Sequence, residues 1–167
     1  IFLIASGIDI GKPSTEFIEK QIPDHEKVIE LAKKLLSKYN GKIKFPTDVA
    51  LNNDGKRYGT NVENLPDKHP LFDIGVDTLV RYIQIIEDAG TIIANGPMGV
   101  FEDSEFATGT NEIFNSISKS KVNNFSCSSW IICHCYLIYK SFKSFFTTTK
   151  IFVVCFSVFI NILNNIS

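Results

Sequence analysis

The stretch Asn95-Gly96-Pro97-Met98-Gly99-Val100-Phe101-Glu102 is where this chain's residue types best suit the chemistry of holding a ligand. Two glycines and a proline between positions 96 and 99 fix a turn whose backbone can come close to a flat molecule. Glu102 follows, and an ionised carboxylate is an acceptor-only group suited to two vicinal ribose hydroxyls. Asn95 offers both a donor and an acceptor. A structural loop with a surface Glu fits the same spacing, because a short Gly-Pro turn after a strand is common. Spacing alone leaves both readings open.

Other candidate groups are weaker. Cys133-His134-Cys135 lacks the two-residue spacer of paired metal ligands, and there is no second pair. His25 and His69 are isolated and read as a solvated and a loop histidine. Lys12 could meet a phosphate, but Gly11-Lys12-Pro13-Ser14 has no Walker context. Asp103 and Glu105, close to Glu102, could form an acid–base pair. The solvated first turn of a short helix accounts for them better.

These residues need elements to place them. Residues 1–5, Ile-Phe-Leu-Ile-Ala, are a short apolar run that fits a buried parallel strand. Ser6 to Ile22 is punctuated by Gly7, Gly11 and Pro13, with Pro23 just beyond, and reads mostly as loop. Asp24 fits an N-cap, and Val28, Ala32, Leu35, Leu36 and Tyr39 fall at helical spacing before the Asn40-Gly41 stop. Lys42–Phe45 and Asp48–Leu51 read as strands. Asn53-Asp54-Gly55 predicts a hairpin into Arg57–Val62. Asp77 or Thr78 is expected to cap a helix carrying Leu79, Val80, Ile83 and Ile86. Thr91–Ala94 is a short buried strand, and Thr110 is expected to cap a last helix carrying Ile113, Phe114 and Ile117. Helices alternating with short apolar strands predict an α/β fold, with a parallel sheet covered by helices on both faces. Ligands then bind outside the carboxyl ends of the strands, which places Asn95–Glu102 at the site.

Composition divides the chain. All 18 acidic residues, all ten Gly and all six Pro lie in residues 1–121. Residues 122–167 hold all four Cys, the one Trp and half of the 14 Phe, with Lys140, Lys143 and Lys150 as their charges. A net charge of -1 with no basic stripe argues against a nucleic-acid partner. The apolar runs 131–139 and 151–163 fall short of the roughly 18–20 residues that span a bilayer. The opening run has no basic residues before it and fits a strand in progress better than a signal peptide. Two domains are expected: a partial nucleotide-binding domain over 1–121 and an aberrant apolar tail over 122–167. The tail reads either as a marginal membrane anchor or, the favoured reading, as the wrong frame of an A/T-rich gene.

The full string from Asn95 to Glu102, followed by Phe106 and Gly109-Thr110, resembles phosphoglycerate kinases. The strings Ser6-Gly7-Ile8-Asp9-Ile10-Gly11-Lys12-Pro13-Ser14, Phe45-Pro46-Thr47-Asp48-Val49-Ala50 and Asp73-Ile74-Gly75 resemble segments of that family's C-terminal domain, in the right order and with an archaeal flavour. The resemblance covers residues 1 to about 121. It implies phosphoryl transfer between 1,3-bisphosphoglycerate and ADP, with Mg²⁺, in a cytoplasmic monomer. It places ATP or ADP on this domain, with Glu102 at the ribose. Asn95, Gly96, Pro97, Val100 and Phe101 would line the pocket, and Phe72 and Asp73 would sit beside the base. The family's sugar-acid domain, which takes 3-phosphoglycerate, and its Gly-Gly-x-Lys segment are not in these 167 residues. Where the family continues into an apolar strand and a Gly-Gly-Gly phosphate loop, this chain reads Asn123-Asn124-Phe125-Ser126-Cys127. The resemblance therefore implies a catalytically silent fragment. A non-catalytic nucleotide-binding module and a membrane-tethered interaction protein are the alternatives.

Overall fold

The computed structural model describes residues 1–121, 124–128 and 151–155. The helices are α1 (Phe2–Ala5), α2 (Lys12–Gln21), α3 (His25–Lys38), α4 (Val76–Glu87) and α5 (Thr108–Lys119). The strands are β1 (Asp48–Asn53), β2 (Lys56–Asn61), β3 (Leu71–Ile74), β4 (Thr91–Asn95), β5 (Asn124–Ser128) and β6 (Ile151–Cys155). Two compact units share them. One comprises residues 1–80 and 99–109, the other 81–98 and 110–167.

The first unit holds an antiparallel sheet ordered β2-β1-β3. Asp54 (φ 51°) and Gly55 (φ 82°) both lie in the left-handed region. That is the turn geometry whose twist matches a two-residue hairpin loop, and it pairs Asn53 with Lys56 and Leu51 with Tyr58. β1 is buried from Asp48 to Leu51, whereas β2 is largely exposed. Val49 and Leu51 join Leu3 and Ile10 in a buried cluster, against which Ile4, Ile8, Ile18, Phe45, Val62, Leu65 and Leu71 pack.

Several local expectations are corrected here. Residues 2–5 are helical rather than a parallel strand, because a four-residue apolar run buries equally well in either form and only its neighbours choose. Lys12–Gln21 is a helix rather than loop. Its Pro13 lies in the first turn, where the missing N–H has no intrahelical partner to lose. Lys42–Phe45 forms no strand. The β1–β2 hairpin forms as expected, but β3 also pairs antiparallel with β1, so the expected parallel sheet does not include it.

The start of α4 also differs from expectation. The helix begins at Val76, so Asp77 and Thr78 lie inside its first turn. The cap comes from β1. Asp48 accepts from Asp77 N–H at 3.0 Å and from Thr78 N–H at 2.7 Å, and the Thr78 hydroxyl donates to the same carboxylate at 2.6 Å. Thr78 is fully buried, and its hydroxyl oxygen also accepts the backbone N–H groups of Thr47 and Asp48. A carboxylate at a helix N-terminus is favoured by the free N–H groups and by the helix dipole. On α4, Leu79 and Ile86 are buried as expected and Tyr82 joins them, whereas Val80 is 49% exposed. Burial pushes the Tyr82 phenol up to about 12, so it stays neutral well into the alkaline range.

In the second unit, β4 is flanked by β5 and β6, both parallel to it. Thr91 pairs with Asn124 and Ile151, and Asn95 with Ser128 and Cys155. Ile92, Ile93 and Ala94 are all buried, the continuous apolar pattern of a strand covered on both faces. Ile86 of α4 and Ile113 and Ile117 of α5 are buried in the same unit. Two pieces of the acid-free tail thus take strand positions beside β4. Cys133-His134-Cys135 and the run 131–139 lie outside the described residues, as does 156–163. No helix among the described residues is long and apolar enough to cross a membrane.

Candidate functional site

β3 carries Phe72 and Asp73 into the first unit. The Asp73 side chain is fully buried, and its two oxygens accept three protein donors. Ile74 N–H donates to one oxygen at 2.8 Å. Arg57 Nη1 and Gly109 N–H donate to the other, each at 2.8 Å. Gly109 lies in the first turn of α5, so Asp73 does for α5 what Asp48 does for α4. A β-carbon on Gly109 would collide with the Asp73 carboxylate and with the Ile74 side chain. Glycine there lets the helix start pack down onto β3. Buried and held by three protein donors, the Asp73 carboxylate presents no oxygen to solvent.

Arg57 binds this centre in several directions. Beyond Asp73, its Nη2 donates to Ile74 O at 2.7 Å and its Nη1 to Glu105 O at 3.4 Å. The planar, multi-donor guanidinium suits this kind of bridging. It ties the hairpin, β3 and the segment after Gly99 into one assembly.

Residues 101–106 form consecutive turns rather than the short helix expected around Asp103. Val100 N–H donates to Phe72 O at 2.8 Å, which latches the turn to β3. A β-carbon on Gly99 would strike that same Phe72 carbonyl, so a side chain there would open the latch. Phe106 is completely buried and meets Phe72 edge-on, with centroids 5.0 Å apart and planes at 70°. Val100 and Phe101, by contrast, are 37% and 47% exposed, and Glu102 is exposed beside them. The first unit therefore brings Phe72, Asp73, Val100, Phe101 and Glu102 together, with exposed apolar surface and an exposed carboxylate on one turn.

Asn95, Gly96 and Pro97 belong to the second unit, at the carboxyl end of β4. Gly96 has φ 79°, a conformation that other residues enter only at a cost. Met98 N–H donates to Thr110 Oγ1 at 3.1 Å, pinning the turn to α5. Thr110 was expected as the cap of this helix. The helix starts two residues earlier, and the hydroxyl serves the turn instead.

The remaining candidates take structural places. Asp103 accepts from Glu105 N–H at 3.0 Å and makes no acid–base pair with it. Lys12 extends into solvent, 3.7 Å from Glu16. His69 contacts Asp67 at 2.7 Å, and the donors offered by His69 hold the Asp67 carboxyl below its ordinary range. His25 opens α3, and its Nδ1 is buried with no hydrogen-bond partner among the described residues. Sequence reasoning missed Arg57, whose partner lies 16 residues away, and Asp48, whose partners lie 29 and 30 away. Neither shows a local pattern. The donor set does not fit a protein-held Mg²⁺. The Asp48 and Asp73 oxygens are already engaged, and among the described residues no three His, Cys, Asp or Glu side chains gather into a metal site.

Alternating helices and strands, with a glycine-proline turn leaving the end of a parallel strand, define an α/β protein of the kind that places ligands at strand ends. The phosphoglycerate kinase family profile matches residues 1–129. A phosphoglycerate kinase of Thermoplasma acidophilum is 46% identical over 120 residues, which is 72% of this chain and 29% of the relative. One of Methanopyrus kandleri is 43% identical over 121 residues, again 72% of this chain and 29% of the relative. The crystal structure of phosphoglycerate kinase from Pyrococcus horikoshii OT3 superposes with a TM-score of 0.68 at 28% identity, covering 92% of this chain and 36% of that one. The chain belongs to the phosphoglycerate kinase family. It spans about 29% of the length of the curated relatives it matches. The family match runs past Lys121 through β5, further than the motifs alone carried the likeness.

Proposed function

We propose that this chain is the nucleotide-holding part of a phosphoglycerate kinase and binds ATP or ADP through the turn after β4. The observation that carries the proposal is the exposed Glu102 on a turn latched to β3 through Val100 and Phe72. A nearby carboxylate held on a fixed turn accepts the two ribose hydroxyls without first having to be ordered. Val100 and Phe101 offer exposed apolar surface that a flat base would cover. Phe72 and the Asp73 backbone would sit beside the base, and Asn95, Gly96 and Pro97 are proposed as nucleotide-binding residues on the family likeness alone. The reaction served is phosphoryl transfer between 1,3-bisphosphoglycerate and ADP, in the cytoplasm, with the sugar acid held by the family's other domain. Mg²⁺ would arrive on the phosphates rather than on the described side chains of this chain. In this reading residues 1–121 are the nucleotide-binding part and 122–167 an apolar tail of frame-shifted origin, although the family match reaches residue 129 and so takes in β5.

Two results follow. Residues 1–167 by themselves are expected to show no 3-phosphoglycerate-dependent ATP consumption, since phosphoryl transfer rests on positioning and on neutralising oxygen charge. Turnover above a no-protein control, in a preparation free of host enzyme, contradicts this. Nucleotide affinity should be weak, on the order of millimolar or worse, because only base and ribose contacts contribute. Glu102→Ala should lower it several-fold. An NMR titration with ADP that is unchanged by Glu102→Ala removes Glu102 from the site.

A further inference from the structure

The turn after α3 has a chemistry that the nucleotide site does not use. Asn40 and Gly41 are both exposed, and Lys42 N–H donates to Tyr39 O at 2.9 Å across the turn. Gly41 has φ 73°, and a β-carbon placed on it would meet nothing within 4 Å. Its N–H donates to no acceptor among the described residues. An asparagine side chain followed by a sterically open glycine amide is the arrangement that closes to a five-membered imide.

We propose that Asn40 is a site of spontaneous deamidation and isoaspartate formation in the folded chain. The Gly41 amide nitrogen, losing its proton to solvent base, attacks Cγ of Asn40. The new N–Cγ bond forms as the Cγ–Nδ2 bond breaks, and Nδ2 leaves as ammonia after taking a proton from water. Water then opens the imide at either carbonyl, giving aspartate or isoaspartate. No electrons are transferred, and water is the one co-reactant.

Two other places in the chain put a comparable side chain before glycine, and the structure separates them from Asn40. The Gly55 N–H that would attack Asp54 already donates to Asn52 Oδ1 at 2.6 Å. Asn95 precedes Gly96 but ends β4, where strands on both sides hold its backbone in the extended ladder. Imide closure needs a rotation of the backbone that a laddered strand resists and an open turn allows. A carboxylate created at residue 40 would stand at the C-terminal end of α3, where the helix dipole disfavours negative charge. Conversion should therefore also fray the last turn of α3.

The test is peptide mapping by mass spectrometry of the folded chain held in mildly alkaline buffer, with fragmentation that distinguishes aspartate from isoaspartate. The expected result is conversion at Asn40 about tenfold faster than at Asn95, with the gap closing in urea, where the strand's restraint is gone. Gly41→Ala should slow conversion at Asn40 about tenfold, because its β-carbon crowds the attacking nitrogen and narrows the backbone's range. Asn40→Gln, whose longer side chain forms the larger ring poorly, should remove the signal from this peptide. Equal rates at Asn40 and Asn95 in the folded chain, or an unaltered rate in Gly41→Ala, would overturn the proposal.

Discussion

Arg57→Ala is expected to lower the stability of the first unit by about 3–5 kcal/mol, the cost of breaking a buried ion pair from one side. The Asp73 carboxylate is wholly buried, and Arg57 is its cation at 2.8 Å. Removing the guanidinium leaves a buried charge facing only the N–H groups of Ile74 and Gly109. The Ile74 carbonyl loses its donor in the same step. Arg57→Lys should recover only part of the loss, since a single ammonium cannot reach Asp73, Ile74 O and Glu105 O together. Urea unfolding of the two variants against the parent measures both effects. A loss below about 1 kcal/mol in Arg57→Ala would put the pair among ordinary surface bridges and contradict its structural role. The hydrogen bond from Arg57 to Glu105 O adds a functional consequence. Freed from it, the segment bearing Phe101 and Glu102 should show faster amide exchange, even in the lysine variant.

Asp48→Ala should be comparably severe, about 2–4 kcal/mol, because one substitution strips the acceptor from two helix N–H groups and a buried hydroxyl. Thr78 has no exposure to water that could replace the lost bonds. Asp48→Asn keeps the shape and one acceptor oxygen but turns an amide NH₂ toward N–H donors, so its cost should fall between the parent and the alanine variant. The diagnostic reading is hydrogen exchange at Asp77 and Thr78. Protection of those two amides should collapse in Asp48→Ala while α3, which makes no bond to Asp48, stays protected. Unchanged protection at Asp77 and Thr78 would mean that α4 is capped by something other than Asp48.

Both predictions rest on contacts that a linear reading of the chain does not expose. Asp48 lies in the string Phe45-Pro46-Thr47-Asp48-Val49-Ala50, which is legible as a family motif without revealing that its carboxylate ends on α4. Asp73 was expected beside a base, and its buried carboxylate is taken up by Ile74, Arg57 and Gly109. Thr110 was legible as a helix-start residue, and its hydroxyl instead holds Met98 in the turn after β4. In each case the residue type was informative about what the side chain could do and silent about which group it would meet.

What the sequence by itself determined is local. Helix α3, with its Asn40-Gly41 stop, and the Asn53-Asp54-Gly55 hairpin follow from backbone preferences and turn chemistry that act over a few residues. The strand Thr91–Asn95 and the Gly-Pro turn after it follow likewise, and the long motif strings carry the family. What only the tertiary structure decided is the choice among locally equivalent options. Phe2–Ala5 could bury as strand or helix, and packing of Leu3 with Ile10, Val49 and Leu51 accompanies the helical choice. β3 could have joined a parallel sheet, and it pairs antiparallel with β1. Arg57 had no marked role until folding set it against Asp73, 16 residues on, and Glu105, 48 residues on. The physical reason is that short-range sterics leave such alternatives nearly equal in free energy. They are separated by burial and by the need to satisfy every buried polar group, and the partners for both come from distant parts of the chain.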